Sequence, residues 1–147
     1  MDSEFHGWLL PSSVTAELED GTDKDILDQL IQLLEKTGYV TDKQRVLNDI
    51  IAREKNGSTE ICDGIIVPHA RSSGVSSLCT ATGIVNHKTI YMMIVWPIDT
   101  APCLKRLSAL IEILLNSKTD HILLASETNI AVYNCLTEGL KQHGITC

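Results

Sequence analysis

Apolar residues in the first third of the chain recur with the period of an α-helix in two segments. The first lies between Thr22, a suitable N-cap, and Gly38, a suitable stop, and its apolar positions are Ile26, Leu27, Leu30, Ile31, Leu33 and Leu34. The second starts at Thr41, where Gln44 completes a capping-box pattern, and ends at Gly57. Its buried stripe is predicted at Val46, Leu47, Ile50 and Ile51.

Short apolar runs in the middle of the chain predict three strands. The first is Gly64 to Val67, ended by Pro68, which cannot donate to a strand ladder. The others are Thr80 to Val85 and Ile90 to Trp96. The polar residues between these two, numbers 86–88, predict a turn.

The helical period returns in the second half of the chain. After Pro102, a favourable first-turn residue, apolar positions recur at Leu104, Leu107, Leu110, Ile111 and Leu114. Residues 119–125 predict one short turn. A last helix is predicted with Ser126 as its cap and a stripe of Ile130, Tyr133, Leu136 and Leu140. The fold class is therefore α/β, with helices on a small sheet in a single domain over residues 1–147.

Composition and charge narrow the classes of function. The 147 residues carry a net charge of -7, and no cluster of Lys and Arg offsets it locally. Nucleic acids and anionic membranes are thus disfavoured partners. No apolar run approaches the roughly 20 residues of a membrane helix, and the start lacks the pattern of a signal peptide. The five cysteines form no C-x-x-C pair, which favours reduced thiols in the cytoplasm.

The segment from Arg53 to His69 carries the chemistry. It runs from a helix end through a glycine-containing turn into a strand, with His69 in the loop at the strand's exit. An imidazole attacks phosphorus only when it is neutral, with one nitrogen free and the other protonated. A backbone carbonyl that accepts this proton would fix the tautomer. We expect no metal site, because Cys62 and His69 lack further ligands.

This segment reads R-E-x-x-G-S-T-x-I-x-x-G-I-x-V-P-H, and it resembles the active-site signature of the fructose/mannitol/nitrogen-regulatory class of enzyme IIA domains of the bacterial phosphotransferase system. The resemblance implies a small mixed β-sheet flanked by helices. It also implies a histidine that accepts a phosphoryl group from a histidine-phosphorylated carrier protein, of the HPr or NPr type. The group then passes to an enzyme IIB domain or signals to a regulated protein, and no cofactor is needed.

Carried over by position, the resemblance makes His69 the phosphoryl acceptor. Arg53 corresponds to an arginine beside it, whose paired N–H donors suit a phosphoryl group. Thr59 corresponds to a hydroxyl near the same oxygens. From the residues alone, Arg53 is also explained as a helix-end charge and Thr59 as a structural turn hydroxyl.

Cys103 stands where many members of this family have a second active-site histidine, which makes it a second candidate position in the site. A thiol is a weak donor to phosphoryl oxygen. Together with the lack of a permease span or an enzyme IIB segment in these 147 residues, this departure favours the nitrogen-regulatory branch. Two alternatives stay open: a fructose or mannitol transport component, and a binding module that has lost the transfer reaction.

Overall fold

A computed structural model describes residues 8–101 and 104–145 of the chain. Its α-helices are α1 (Asp23–Glu35), α2 (Lys43–Glu54), α3 (Leu104–Leu115), α4 (Ser117–Ala125) and α5 (Asn129–Gln142). Its strands are β1 (Val14–Thr15), β2 (Glu60–Cys62), β3 (Ile65–Ile66), β4 (His69–Ser72), β5 (Cys79–Val85) and β6 (Thr89–Pro97), and a 3₁₀ turn covers Pro11–Ser13. Within these ranges, every helix is too short or too polar to traverse a lipid bilayer.

The strands form one mixed sheet in the order β1-β5-β6-β3-β2, with β4 also paired to β6. The pairs β5–β6 and β2–β3 are antiparallel, whereas β1–β5, β3–β6 and β4–β6 are parallel. The prediction of a small mixed sheet flanked by helices is therefore confirmed.

Helices cover both faces of this sheet, so the described residues enclose two apolar cores. On one face, α1 and α2 pack against alternate residues of the sheet, including Met93 and Val95. On the other face, α3, α4 and α5 pack against the intervening residues, including Met92 and Ile94. The alternation follows from the strand period of two, which sends successive side chains to opposite faces. Burial of the Cys79 thiol in the first core raises its pKa to about 12.

The two N-terminal helices lie where the apolar period predicts them. Thr22 caps α1 as expected, because its hydroxyl accepts from the Asp25 N–H while the Asp25 carboxylate accepts from the Thr22 N–H. The predicted cap of α2 is wrong. Asp42, not Thr41, accepts the Arg45 N–H, since a carboxylate one residue later is the stronger acceptor for the free N–H groups of the first turn.

The second half differs from the prediction in two places. Residues 117–125 form a full helix, α4, capped by Asn116, where one short turn was expected. Ser126 therefore does not begin the last helix. Its hydroxyl donates to the Ile122 carbonyl at the end of α4, and Thr128 caps α5 instead. Ile130 is wrongly placed on the buried stripe, being 52% exposed.

The strand predictions hold for β5 and β6 and fail around His69. The predicted turn at residues 86–88 is present, with positive φ at Asn86 and His87. The first predicted strand ends at Ile66, however, and His69 does not lie in an exit loop. It begins a further strand, β4, because the chain returns to pair with β6 after Pro68. The sequence pattern also missed β2, whose residues are all exposed.

A close backbone contact fixes α2 along β4. The carbonyl of Gly74, just after β4, accepts the N–H groups of Thr41 and Asp42 at 2.8 and 3.2 Å. The N-terminus of α2 thus lies at the far end of β4. Since α2 packs against β4, its C-terminus with Arg53 lies toward the end where β4 begins at His69.

We expect Gly74→Ala to destabilise the fold. A Cβ at this position would lie 2.5 Å from the Asp42 carbonyl oxygen and 2.9 Å from a Val46 methyl carbon, so α2 would have to move. Overpacking of this kind costs about 1–3 kcal/mol. Chemical denaturation should show this loss for Gly74→Ala. The exposed neighbour Ser73→Ala serves as the control, and equal stability of the two variants would contradict the account.

Candidate functional site

Two residues interrupt the strand that pairs with β6 on the side of His69. The pairing register is the same before and after the break, since Ile66 lies opposite Tyr91 and His69 lies opposite Ile94. Val67 and Pro68 fill the interval. The Pro68 carbonyl still accepts from the Ile94 N–H at 2.9 Å, whereas the Val67 N–H donates to the Thr59 carbonyl at 2.9 Å. The Val67 N–H thus faces Thr59 and not β6, in the register that the Glu60–Ile66 pair of β2 and β3 sets.

The Val67 carbonyl oxygen lies 2.9 Å from Nδ1 of His69. A carbonyl oxygen can only accept a hydrogen bond, so Nδ1 carries the ring proton. In the neutral imidazole, Nε2 is then left with its lone pair free, facing away from Val67. The ring is half-buried. The arrangement is what a nitrogen nucleophile requires, and the Val67 carbonyl lies where it can fix the tautomer.

Thr59 connects the Val67 backbone to the end of α2. Its carbonyl accepts from Val67, and its hydroxyl donates to the Glu54 carboxylate at 2.6 Å. Thr59 is only 5% exposed, and its single hydroxyl hydrogen is used in the bond to Glu54. A hydrogen bond from Thr59 to a phosphoryl oxygen stays a prediction, and it requires this hydroxyl to turn away from Glu54.

The other side of the His69 ring borders an apolar crevice of about 250 Å³ between the sheet and α3. The Trp96 ring stacks beside the imidazole, with ring centroids 6.2 Å apart and planes inclined by 14°. This separation falls in the range of offset aromatic pairs. Val67, Ile94, Leu107 and Ile111 complete the lining. This side of the imidazole therefore faces an apolar surface.

Arg53 lies at the end of α2 that is directed toward the start of β4, and among the described residues no hydrogen bond or ion pair joins it to His69. Arg53 lies in the last turn of α2, half-buried, and the helix packs on the face of the sheet opposite the apolar crevice. To reach Nε2, the Arg53 guanidinium has to extend around the edge of β4 that is not paired with β6. Cys103, the second candidate position, lies outside the described residues.

Three residues around His69 escaped the sequence analysis. Trp96 was assigned to a strand, but its contact with the imidazole depends on how β4 and β6 pair. Glu54 belongs to the motif, yet its bond to Thr59 follows only from the turn between α2 and β2. Arg71 lies two residues after His69, so both side chains project from one face of β4. That spacing is readable once His69 is known to begin a strand.

Comparison with known proteins shows that most of the chain matches one protein family. Residues 9–139 match the family model described as phosphoenolpyruvate-dependent sugar phosphotransferase system, EIIA 2. Three curated relatives align over only 12% to 47% of their own lengths, so the chain spans less than half of each. One of them, the nitrogen regulatory protein of Pseudomonas aeruginosa, is 34% identical over 73 residues, which are 50% of this chain and 47% of that protein.

Solved structures show the same fold. The crystal structure of nitrogen regulatory protein IIA-Ntr from Neisseria meningitidis matches with a TM-score of 0.76 and 23% identity, covering 90% of this chain and 99% of the other. Enzyme IIA mannitol of Escherichia coli, in complex with phosphorylated enzyme IIB mannitol, matches with a TM-score of 0.73 and 15% identity. The match covers 88% of this chain and 97% of that one.

We expect nitrogen NMR of the unmodified protein to find the proton of neutral His69 on Nδ1, because only that tautomer can donate to the Val67 carbonyl. Long-range proton–nitrogen correlation spectra, recorded at a pH where the spectra show a neutral ring, report this directly. His121 is an internal control, since no hydrogen bond of its ring is found among the described residues, so no carbonyl selects its tautomer. A proton on Nε2 of His69 would contradict the assignment.

Proposed function

We propose that this chain, which belongs to the EIIA type 2 family of the phosphoenolpyruvate-dependent sugar phosphotransferase system, carries a phosphoryl group on Nε2 of His69. The observation that supports the proposal most is the 2.9 Å contact between Nδ1 and the Val67 carbonyl, which leaves Nε2 as the free nucleophile. The chain would act as a phosphohistidine transferase, taking the group from a histidine-phosphorylated carrier protein of the HPr or NPr type.

The transfer needs no proton at the attacking nitrogen. The Nε2 lone pair forms a bond to phosphorus while the bond from phosphorus to the donor's histidine nitrogen breaks, and that electron pair returns to the donor. Positive charge develops on the His69 ring as the new bond forms. The Nδ1 proton remains bonded to the Val67 carbonyl, and this bond strengthens because its donor becomes charged. The carbonyl thus both orients the nucleophile and stabilises the product.

Arg53 is the proposed partner of the phosphoryl oxygens from α2. Its guanidinium supplies paired N–H donors for a dianionic group, which is the geometry that phosphoryl transfer requires from a protein. No hydrogen bond or ion pair of this guanidinium is found within residues 8–101 and 104–145, so no acidic residue in those ranges competes for it. Thr59 is proposed as a further hydroxyl donor once it leaves Glu54.

The output we favour is regulatory: a cytoplasmic partner protein would distinguish the phosphorylated from the unphosphorylated form. The similarity to the nitrogen regulatory protein of Pseudomonas aeruginosa supports this branch. Transfer to an enzyme IIB domain is the transport alternative, and the Escherichia coli complex shows that fold-related enzyme IIA mannitol binds such a partner.

His69→Ala should abolish phosphoryl uptake and leave the fold intact, because the ring is half-buried at an edge strand and outside the two apolar cores. Intact-mass measurement after incubation with a phosphorylated carrier would follow uptake, and circular dichroism would check folding. His121→Ala, on an exposed position of α4, is the matched control and should take up phosphate normally. Uptake that persists in folded His69→Ala would assign the acceptor elsewhere.

Arg53→Ala should slow uptake more than Arg53→Lys, since lysine keeps the positive charge and loses the paired donors. Loss of hydrogen bonds to a charged group costs about 1.5–3 kcal/mol, which corresponds to roughly tenfold or more in rate. Single-turnover kinetics with a phosphorylated carrier would measure both variants. Wild-type rates for both would remove Arg53 from the site.

A further inference from the structure

The four arginines of this acidic chain divide into two kinds. Arg45 pairs with Asp49 at 3.4 Å, and Arg106 lies 5.4 Å over the Trp8 ring. For Arg53 and Arg71, no acidic side chain of the described residues lies within ion-pair distance, although the sequence holds 19 Asp and Glu. Both lie near the strand that begins with His69. Two guanidinium groups, one in β4 and one at the end of α2, are therefore without an acidic partner among the described residues.

Arg71 has the more direct access to the reacting nitrogen. His69 and Arg71 are alternate residues of β4, so their side chains leave the same face about 7 Å apart. They pair with Ile94 and Trp96 on β6, and the Trp96 ring stacks beside His69. Nδ1 is held back toward Val67, so Nε2 faces away from it, and Arg71 is the next residue of the strand on that face.

The side chain of Arg71 is also free to reach this position. It is exposed, and an extended arginine spans the distance between alternate residues of a strand. Its neighbour Trp96 offers a flat apolar surface along which the stem can lie. Arg53, in contrast, approaches from the opposite face of the sheet.

We propose that Arg71 binds the phosphoryl group on Nε2 of His69, donating two N–H groups to its non-bridging oxygens. This inference rests on the proposed function and adds a residue to it. As the bond from Nε2 to phosphorus forms and the bond to the donor breaks, the Arg71 guanidinium compensates the oxygen charge. It exchanges no proton, because arginine stays protonated.

The test measures phosphoryl uptake with two donors. One is a phosphorylated carrier protein, and the other is phosphoramidate, a small donor that needs no protein docking. Arg71→Ala should lower kcat/KM at least tenfold with both donors, a factor equivalent to about 1.4 kcal/mol. Arg71→Lys should recover part of the rate, since it restores charge without the paired donors. Arg45→Ala is the control: it also removes one positive charge, but near the N-terminus of α2 and away from His69, so its rates should match those of the wild type.

The outcomes separate the inference from the proposed function. Loss of rate with the carrier alone would make Arg71 a docking residue and overturn the inference, as would unchanged rates with both donors. If Arg71→Ala slowed uptake only because it destabilises the fold, its thermal unfolding midpoint would fall further than that of Arg45→Ala, and its uptake rate would return to the wild-type value at lower temperature. This result would also overturn the inference. No uptake by the wild type would overturn the proposed function and this inference with it.

Discussion

The hydrogen bond from Nδ1 of His69 to the Val67 carbonyl is the constraint on which the site depends. A neutral imidazole has two tautomers, and only one of them leaves Nε2 as a nucleophile. The net contribution of one hydrogen bond to the free energy of unfolding is only about 0.5–1.5 kcal/mol. Its importance is chemical, because it selects the atom that reacts and retains the proton on the other nitrogen during transfer.

This bond exists because the strand beside β6 is interrupted without losing register. If Val67 and Pro68 had regular strand backbone, β3 and β4 would form one continuous strand along β6. The proline removes one N–H, and Val67 directs its own N–H to Thr59. Thr59 in turn holds Glu54 at the end of α2. The position of the imidazole is thus tied through three hydrogen bonds to a helix that the Gly74 contact fixes at its other end.

The sequence was informative where one physical signal dominates. The helical apolar period located α1 and α2, short apolar runs located the paired strands β5 and β6, and the motif singled out His69. It failed where competing acceptors or distant pairing decide the outcome. Thr41 and Asp42 are both suitable caps, and it is the Asp42 carboxylate that accepts the Arg45 N–H. His69 was expected in a loop because Pro68 usually ends a strand, whereas the pairing with Ile94 restores it. Arg71 was missed for the same reason.

Whether Nε2 of His69 is the acceptor atom can be read from the bond between phosphorus and nitrogen. The phosphorylated protein, uniformly labelled with nitrogen-15, can be studied by NMR for coupling between phosphorus and each ring nitrogen. We expect coupling to Nε2 of His69, with Nδ1 still protonated and bonded to the Val67 carbonyl. Coupling to Nδ1, or a phosphoryl group on any other residue, would contradict this expectation.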